Sequence, residues 1–438
     1  MTPLSIKNFS PNNIRTKLKS KTPDSVWKIL EETASCAENR KMDVYLVGGC
    51  VRDFLLDTNT LDWDIVVQGD GQQLGEAISL KLDGKTQKKG QFLTCSVTFS
   101  DGNKLDIATA RSEAYQHPAA LPEVQKSSID QDLLRRDFTI NALALKLNGK
   151  DAFELKDNYG GLQDLKDGII RILHNKSFID DPTRAFRAIR FEKRFGFILE
   201  AETNRLLRKA IHEKIFDRLS GVRLFNELKR TLEEDFPKSY LSRSQEIQLL
   251  QTIHPNLLSS ELGSELLETI QKSFLNKKIS YSDLNPKSWA TYFLGLLYPL
   301  ENSSRQECLA RLDIKGKEAN NLSENLEGIE KALIILDQPN DQEAVAIFET
   351  LNDLSAEAIY ILLTLAKTKS VPKAVSNYYS VYRDRVQAYI TGDDLINLGF
   401  SPGPIFQEIL YNLKKTRLNG DLESKEDEMK WIKQNFKP

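Results

Sequence analysis

YLVGGCVRDFLLDTNTLDWDIVV, residues 45–67, is the stretch that decides the fold. Asp43–Val47 is a short apolar run that suits a strand, and it breaks at Gly48 and Gly49. Arg52 and Asp53 follow within a short apolar helix, after which Asp62 and Asp64 lead into the strand-like Ile65-Val66-Val67. Side chains at i and i+2 of a strand share a face, so the carboxylates of Asp62 and Asp64 are expected to project together. Two carboxylates on a rigid strand can hold a divalent metal beside triphosphate oxygens. Two glycines let backbone N–H groups approach phosphates with no Cβ in the way. Taken singly each piece is weak, because a D-x-D is more often a solvated turn and a Gly-Gly after a strand is usually a turn alone.

Working outward, residues 70–82 read as a helix ending at Gly84. Residues 92–99 and 104–109 are strand-like runs joined by Ser100-Asp101-Gly102-Asn103, and Asp-Gly between such runs signals a hairpin. Upstream, a helix is expected to start near Thr22-Pro23-Asp24, capped by Thr22 or Asp24, with residues 1–22 as a flexible extension rich in Ser, Asn, Pro and Lys. Beyond residue 175 helical periodicity takes over, in 181–194, 201–214 and 222–234 and then in segments such as 344–351, 355–367 and 403–416. The fold class is therefore α+β: a small α/β head over 23–150, a helical neck over 151–236, and a helical body and tail over 237–438.

Composition sets modest bounds. At 438 residues, 40% hydrophobic and 28% charged, the chain reads as an ordinary soluble protein of several domains. A net charge of −2 means that any nucleic-acid site must be a local basic surface. Cys36, Cys50, Cys95 and Cys308 show no C-x-x-C spacing, and four histidines are too few and scattered for a Cys/His zinc site. Free thiols suit a reducing compartment, the polar N-terminus has no signal-peptide core, and no apolar stretch is long enough to span a bilayer. Cytoplasm is the expected location, with no membrane partner.

Three further segments carry candidate chemistry. Asp106 sits on the strand after the hairpin turn, where it completes an acidic triad if that strand neighbours the D-x-D strand; the alternative is a polar residue on an exposed strand face. Arg135 and Arg136 in RRDFTINAL (135–143) could neutralise a triphosphate as planar multi-donor forks, or form a loop ion pair with Asp137. In DDPTRAFRAIRF (180–191), Asp181 is a natural helix cap before Pro182, and Arg184, Arg187 and Arg190 recur every three residues as one helical stripe. Such a stripe is usually a solvated face; Phe186, Ile189 and Phe191 occupy other faces and can pack into a core.

Together these blocks resemble the polymerase-beta-type nucleotidyltransferases, in particular the class II tRNA nucleotidyltransferase (CCA-adding enzyme) and bacterial poly(A) polymerase family, whose pattern is a strand, GGxVRD and then DxD. The resemblance covers residues 43–235 and implies a nucleotidyltransferase head on an all-helical neck, body and tail. It implies that Asp62 and Asp64 hold Mg²⁺, with Asp106 as a third acidic residue, that Gly48, Gly49, Arg52 and Arg136 bind the triphosphate, and that Asp53 is among the nucleotide-binding residues. The segment at 180–191 resembles the family's amino-acid template, with Asp180 in place of the common Glu. In that template Asp181 and Arg184 select the base, and Arg187 and Arg190 contact phosphates or the base side of the bound nucleotide. Cytosine and adenine each offer an exocyclic amine and a ring acceptor, so one carboxylate–guanidinium pair can serve both. DNYGGLQDL (157–165) resembles a hinge between head and neck, and LSGVRLFNEL (219–228) the last block, where Arg223 and Glu227 are i, i+4 partners of structural character.

The implied activity is template-independent addition of C and/or A from CTP and ATP to the tRNA 3′ end, the helical body holding the acceptor arm by shape and phosphate contacts. A CC-only or A-only enzyme and a poly(A) polymerase remain open, the mixed-charge stretch 423–438 arguing against the last. From other classes, a catalytically silent RNA-binding protein and a small-molecule nucleotidyltransferase also remain. A phosphohydrolase domain with a His-Asp pair is not evident, since His254 is the single histidine in the last 200 residues.

Overall fold

The structure, a computed structural model, describes residues 10–58, 62–89, 92–276, 279, 284–338 and 342–437. Its N-terminal part departs from the expected flexible extension. Pro11–Lys21 is a helix, α1, started by Ser10 and burying Ile14 and Leu18, which lie four residues apart on one face. Residues 1–9 of that extension lie outside the described residues. Neither Thr22 nor Asp24 caps the next helix, α2 (Asp24–Glu38): Pro23 holds the cap position, and the Thr22 hydroxyl donates back to the Leu18 carbonyl at 2.7 Å.

Two compact units result, Met1–Arg223 with Glu246–Thr252, and Leu224–Gln245 with Ile253–Pro438. The first unit takes in the residues read as the head and those read as the neck up to Arg223.

The first unit is built on a seven-stranded sheet. Its strands are β1 (Asp43–Val47), β2 (Asp64–Gln68), β3 (Lys85–Lys89), β4 (Thr94–Thr98), β5 (Lys104–Thr109), and, after the two-stranded hairpin β6 (Arg111–Ala114) and β7 (Glu123–Lys126), β8 (Ala144–Lys146) and β9 (Leu155–Lys156). The order is β3-β4-β5-β2-β1-β8-β9. The Asp-Gly turn joins β4 and β5 as an antiparallel hairpin, as its residues predict. The β2–β5 pair is parallel and sets Asp64 directly beside Asp106. β1 and β2 are apolar almost throughout because both faces are covered. Tyr45, Val47 and Val66 pack on Ile129 and Leu133 of helix α5 (Ile129–Leu134). Of the helices between, α3 (Gly49–Leu55) follows β1, and α4 (Gly71–Lys81) is capped by Asp70 and packs on β4 and β5.

After the sheet the first unit turns helical: α6 (Gly161–Asp167), α7 (Ser177–Asp180), α8 (Thr183–Phe195), α9 (Ala201–His212) and the start of α10 (Gly221–Leu232). The glycines at 160 and 161 do different work. Gly160 turns the chain with φ +76° into open space, whereas a Cβ on Gly161 would be driven into the Thr139 carbonyl oxygen. Asp157 accepts from the Gly161 and Leu162 N–H groups (2.8 and 2.9 Å), and Asp164 accepts from the Thr139 hydroxyl (2.6 Å). The segment read as a hinge is therefore tied down at several points. In the second unit the described residues form helices and no strand. Its apolar clusters include one around Phe348, Leu351 and Val375 and another around Leu395, Ile409 and Ile432. Arg417 and Glu428 form a buried pair there at 2.5 Å. No described helix is long and apolar enough to cross a membrane.

Gly161→Ala is expected to destabilise the protein by about 3 kcal/mol, since backbone rather than a movable side chain blocks the methyl. Gly160→Ala should cost about 1 kcal/mol, the left-handed penalty alone. Thermal unfolding of the two variants tests this; equal losses would show that close packing at Gly161 is not the constraint.

Candidate active site

Gly48 is where the local sequence becomes a site. Its φ of +68° ends β1 and starts α3, and a Cβ there would lie 2.6 Å from Arg136 Nη1. The missing side chain is thus the space that Arg136 occupies. Arg136 is held from behind by Asp132, a fully buried carboxylate on α5 that accepts from Arg136 Nη2 at 3.0 Å and from Arg135 Nε and Nη2 at 3.0 and 2.8 Å. Burial opposes ionisation of Asp132, but Arg136 and Arg135 outweigh it and hold its pKa below the ordinary carboxylate value. Arg136 Nε is buried without a hydrogen-bond partner.

Most of the expected residues open on one cavity of about 570 Å³, within the range of nucleotide-sized sites. Asp62, Asp64, Gly48, Gly49, Arg52, Arg136, Asp181, Arg184, Arg187 and Arg190 all line it. Eight arginines and five carboxylates share the wall, leaving three positive charges on a chain whose net charge is −2. Asp53 is not in the wall: its carboxylate is engaged by Arg52 at 2.8–2.9 Å. Asp106 opens instead on an adjoining cavity of about 320 Å³ that also includes Asp64, Arg135 and Arg136.

Of the three acidic residues, the sheet register sets Asp64 and Asp106 side by side. β2 starts at Asp64, so Asp62 stands just before the regular strand, although the Trp63 carbonyl still accepts from the Asp106 N–H at 3.2 Å. Solvent reaches Asp64 from the cavity while protein surrounds it elsewhere. That burial raises its pKa; Arg136 works against the rise, and Asp106 and Asp62 add to it. Carboxylates crowded in this way are stabilised by a cation. Among the described residues no group of three or more His, Cys, Asp or Glu side chains is arranged to hold a metal by itself. A magnesium ion normally takes one or two carboxylates plus substrate phosphates and water, so Asp62 and Asp64 fit that mode rather than an all-protein cage.

The arginine stripe of α8 is not a solvated face. Arg184 and Arg190 are buried, and Phe186, Ile189 and Phe191 pack on the other sides as expected. Arg184 donates to Ser177 Oγ at 2.6 Å and to the Arg135 carbonyl at 2.7 Å, which fixes the guanidinium and leaves further N–H donors for a ligand. Asp181 Oδ1 accepts from the Thr183 N–H and hydroxyl and from Arg223 Nη2 (3.1, 2.6 and 2.7 Å), and among the described residues Oδ2 accepts from none. Arg187 grips Asp137 Oδ2 through Nε and Nη2 at 2.7 and 2.6 Å. Asp137 Oδ1 takes the Phe138 N–H and Asn141 Nδ2, both at 2.9 Å, and Asn141 Oδ1 takes Arg52 Nη1 at 2.6 Å. The Arg52 guanidinium lies 5.2 and 4.8 Å from the ring centres of Phe191 and Phe195.

Arg223 was expected to pair with Glu227. Instead it reaches Asp181 and the Ala119 carbonyl (2.9 Å) and lines the cavity, while Glu227 accepts from Arg230. Asp132, Asp137, Asn141, Glu113 and Tyr115 are further members that the sequence reading did not assign. The i, i+4 spacings Asp132–Arg136 and Asp137–Asn141 were the available signal for three of these, Asp132, Asp137 and Asn141. Tyr115 donates to Glu113 at 2.9 Å and lines the same cavity.

With this geometry in place, the relatives are consistent. Residues 44–171 match the family model of the poly A polymerase head domain. An A-adding tRNA nucleotidyltransferase of Geobacter sulfurreducens is 35% identical over 412 residues, 93% of this chain and 47% of that protein. Another of that name, from Halalkalibacterium halodurans, is 31% identical over 435 residues, 98% of this chain and 97% of its own. The solved structure of a Thermotoga maritima CCA-adding enzyme complexed with tRNA superposes with a TM-score of 0.72 at 30% identity, covering 96% of this chain and 98% of that one. The chain thus spans about half of the Geobacter relative and nearly all of the other two. A polymerase-type nucleotidyl-transfer head with a helical remainder is the class these features define. The chain belongs to the tRNA nucleotidyltransferase family.

Asp137 supplies a pH signature. Burial pushes its pKa up, but Arg187 and the Asn141 hydrogen bond bring it down to about 2. The unfolded value is about 3.9, so ionised Asp137 contributes about 2 kcal/mol that is fully present above that pH and lost as the pH falls towards 2. Chemical denaturation across this range should show the advantage of wild type over Asp137→Asn shrinking below about pH 4. A difference independent of pH would contradict an ionised Asp137.

Proposed function

We propose that this protein is a template-independent tRNA nucleotidyltransferase that transfers CMP, AMP or both from CTP and ATP to the tRNA 3′ end. The observation that carries the reading is the single cavity holding Asp62 and Asp64 together with Arg136, Asp181 and Arg184. Carboxylates intact at that position also favour catalysis over silent RNA binding.

Each residue has a task the geometry allows. Arg136, set against Gly48 and backed by Asp132, neutralises the triphosphate. Asp181 Oδ2 accepts the exocyclic amine of C or A, and Arg184 donates to the ring acceptor; U and G offer the reverse pattern. Arg187 and Arg190 support the nucleotide from α8. Asp62 and Asp64 would hold Mg²⁺, which supplies Lewis-acid stabilisation of charge on the phosphoryl oxygens and the leaving pyrophosphate. Asp53 acts indirectly, by fixing Arg52. The tRNA acceptor arm is bound through shape and phosphate contacts, and a tRNA substrate places the work in the cytoplasm. Addition of A alone is favoured as a second reading by the name shared by the two bacterial relatives above.

Purified protein with Mg²⁺, CTP and ATP should extend a tRNA lacking its last three nucleotides, or extend only a tRNA ending in CC if it is the A-adding form. Asp64→Asn should lower the rate roughly a hundredfold or more. Asp181→Asn should erode discrimination against UTP and GTP by roughly tenfold, the value of one good base contact. No extension of either tRNA would overturn the proposal.

A further inference from the structure

The pleat of β5 puts one cation where the acidic trio cannot avoid it. Lys104 and Asp106 are i and i+2 on that strand and share a face. Across the sheet, Asp106 is flanked by Asp64 on β2 and Ser96 on β4. The Ser96 hydroxyl donates to Asp106 Oδ1, and Lys104 Nζ donates to Oδ2 at 2.7 Å, so both carboxylate oxygens are engaged. Lys104 also feels the charges of Asp62 and Asp64, and it lines the cavity that Asp64 and Asp106 share with Arg136. Its side chain is 56% exposed, free to swing away at little conformational cost.

We propose that Lys104 is a built-in competitor of the divalent cation, its ammonium neutralising Asp106 and giving way when a metal ion binds beside Asp64. The inference rests on the metal-binding role proposed above for Asp62 and Asp64. Repulsion among three carboxylates is relieved either by the ammonium or by a divalent ion. Both at once would crowd like charges within a few ångströms, which disfavours joint occupancy. The released ammonium is then available to a phosphate of the RNA substrate, coupling metal loading to acceptor binding.

Mn²⁺ serves as the probe, with the free ion counted by electron paramagnetic resonance in the full-length protein without nucleotide. Lys104→Gln should bind Mn²⁺ roughly two- to fivefold more tightly than wild type, the range of one exposed ion pair. Lys85→Gln, an exposed lysine on the edge strand, should bind as wild type does, and Asp64→Asn much more weakly. In wild type, acylation of the Lys104 amine, read by mass spectrometry, should rise when Mn²⁺ is added. Unchanged or weaker Mn²⁺ binding in Lys104→Gln, with Asp64→Asn still defective, would overturn the role of Lys104 alone. Unchanged binding in Asp64→Asn would remove the metal site itself and the inference with it.

Discussion

Asp137 is the buried charge around which the first unit is organised. A lone carboxylate in that position would be costly, and truncating either partner of such a pair leaves an uncompensated charge. Its oxygens are instead satisfied by Arg187, Asn141 and the Phe138 amide. Through Asn141 the network continues to Arg52 and Asp53 on α3. The helix that carries the arginine stripe is thereby tied to the helix that follows Gly48, and the two halves of the cavity keep a common geometry. Networks of this kind specify one arrangement more than they add net stability.

The same logic governs the other arginines. Asp132 holds Arg135 and Arg136, Ser177 and a carbonyl hold Arg184, and Asp181 holds Arg223. Each guanidinium spends some donors on the protein, which fixes its plane, and those remaining are aimed before any ligand arrives. Preorganised donors of this sort are worth more than mobile ones because no reorganisation accompanies charge development. The anion site is therefore a local surplus of fixed positive charge on an almost neutral chain, which is why total charge says nothing of it.

What could be read in the sequence was what depends on neighbours along the chain. The β4–β5 hairpin follows from Asp101-Gly102, the α4 start from Asp70, and the α8 stripe from its three-residue spacing. The side-by-side placement of Asp64 and Asp106 needed only the guess that their strands are neighbours. Contacts between distant residues left no such trace: Arg223 finds Asp181 across 42 residues, Arg187 finds Asp137 across 50, and Arg52 finds Asn141 across 89. Helix α1 was missed because its polar composition masks two buried residues, Ile14 and Leu18. That Asp53 is held by Arg52 and stands outside the cavity wall cannot be read from its motif position.

The central claim is that the base of the incoming nucleotide rests against α8 in the cavity that also contains Asp62 and Asp64. Photo-crosslinking with 8-azido-ATP, followed by peptide mapping, tests it directly. The account predicts adducts within Thr183–Phe195 or the other segments lining that cavity, suppressed by ATP and CTP but little by UTP or GTP. Adducts confined to the second unit, or equal suppression by all four nucleotides, would contradict it.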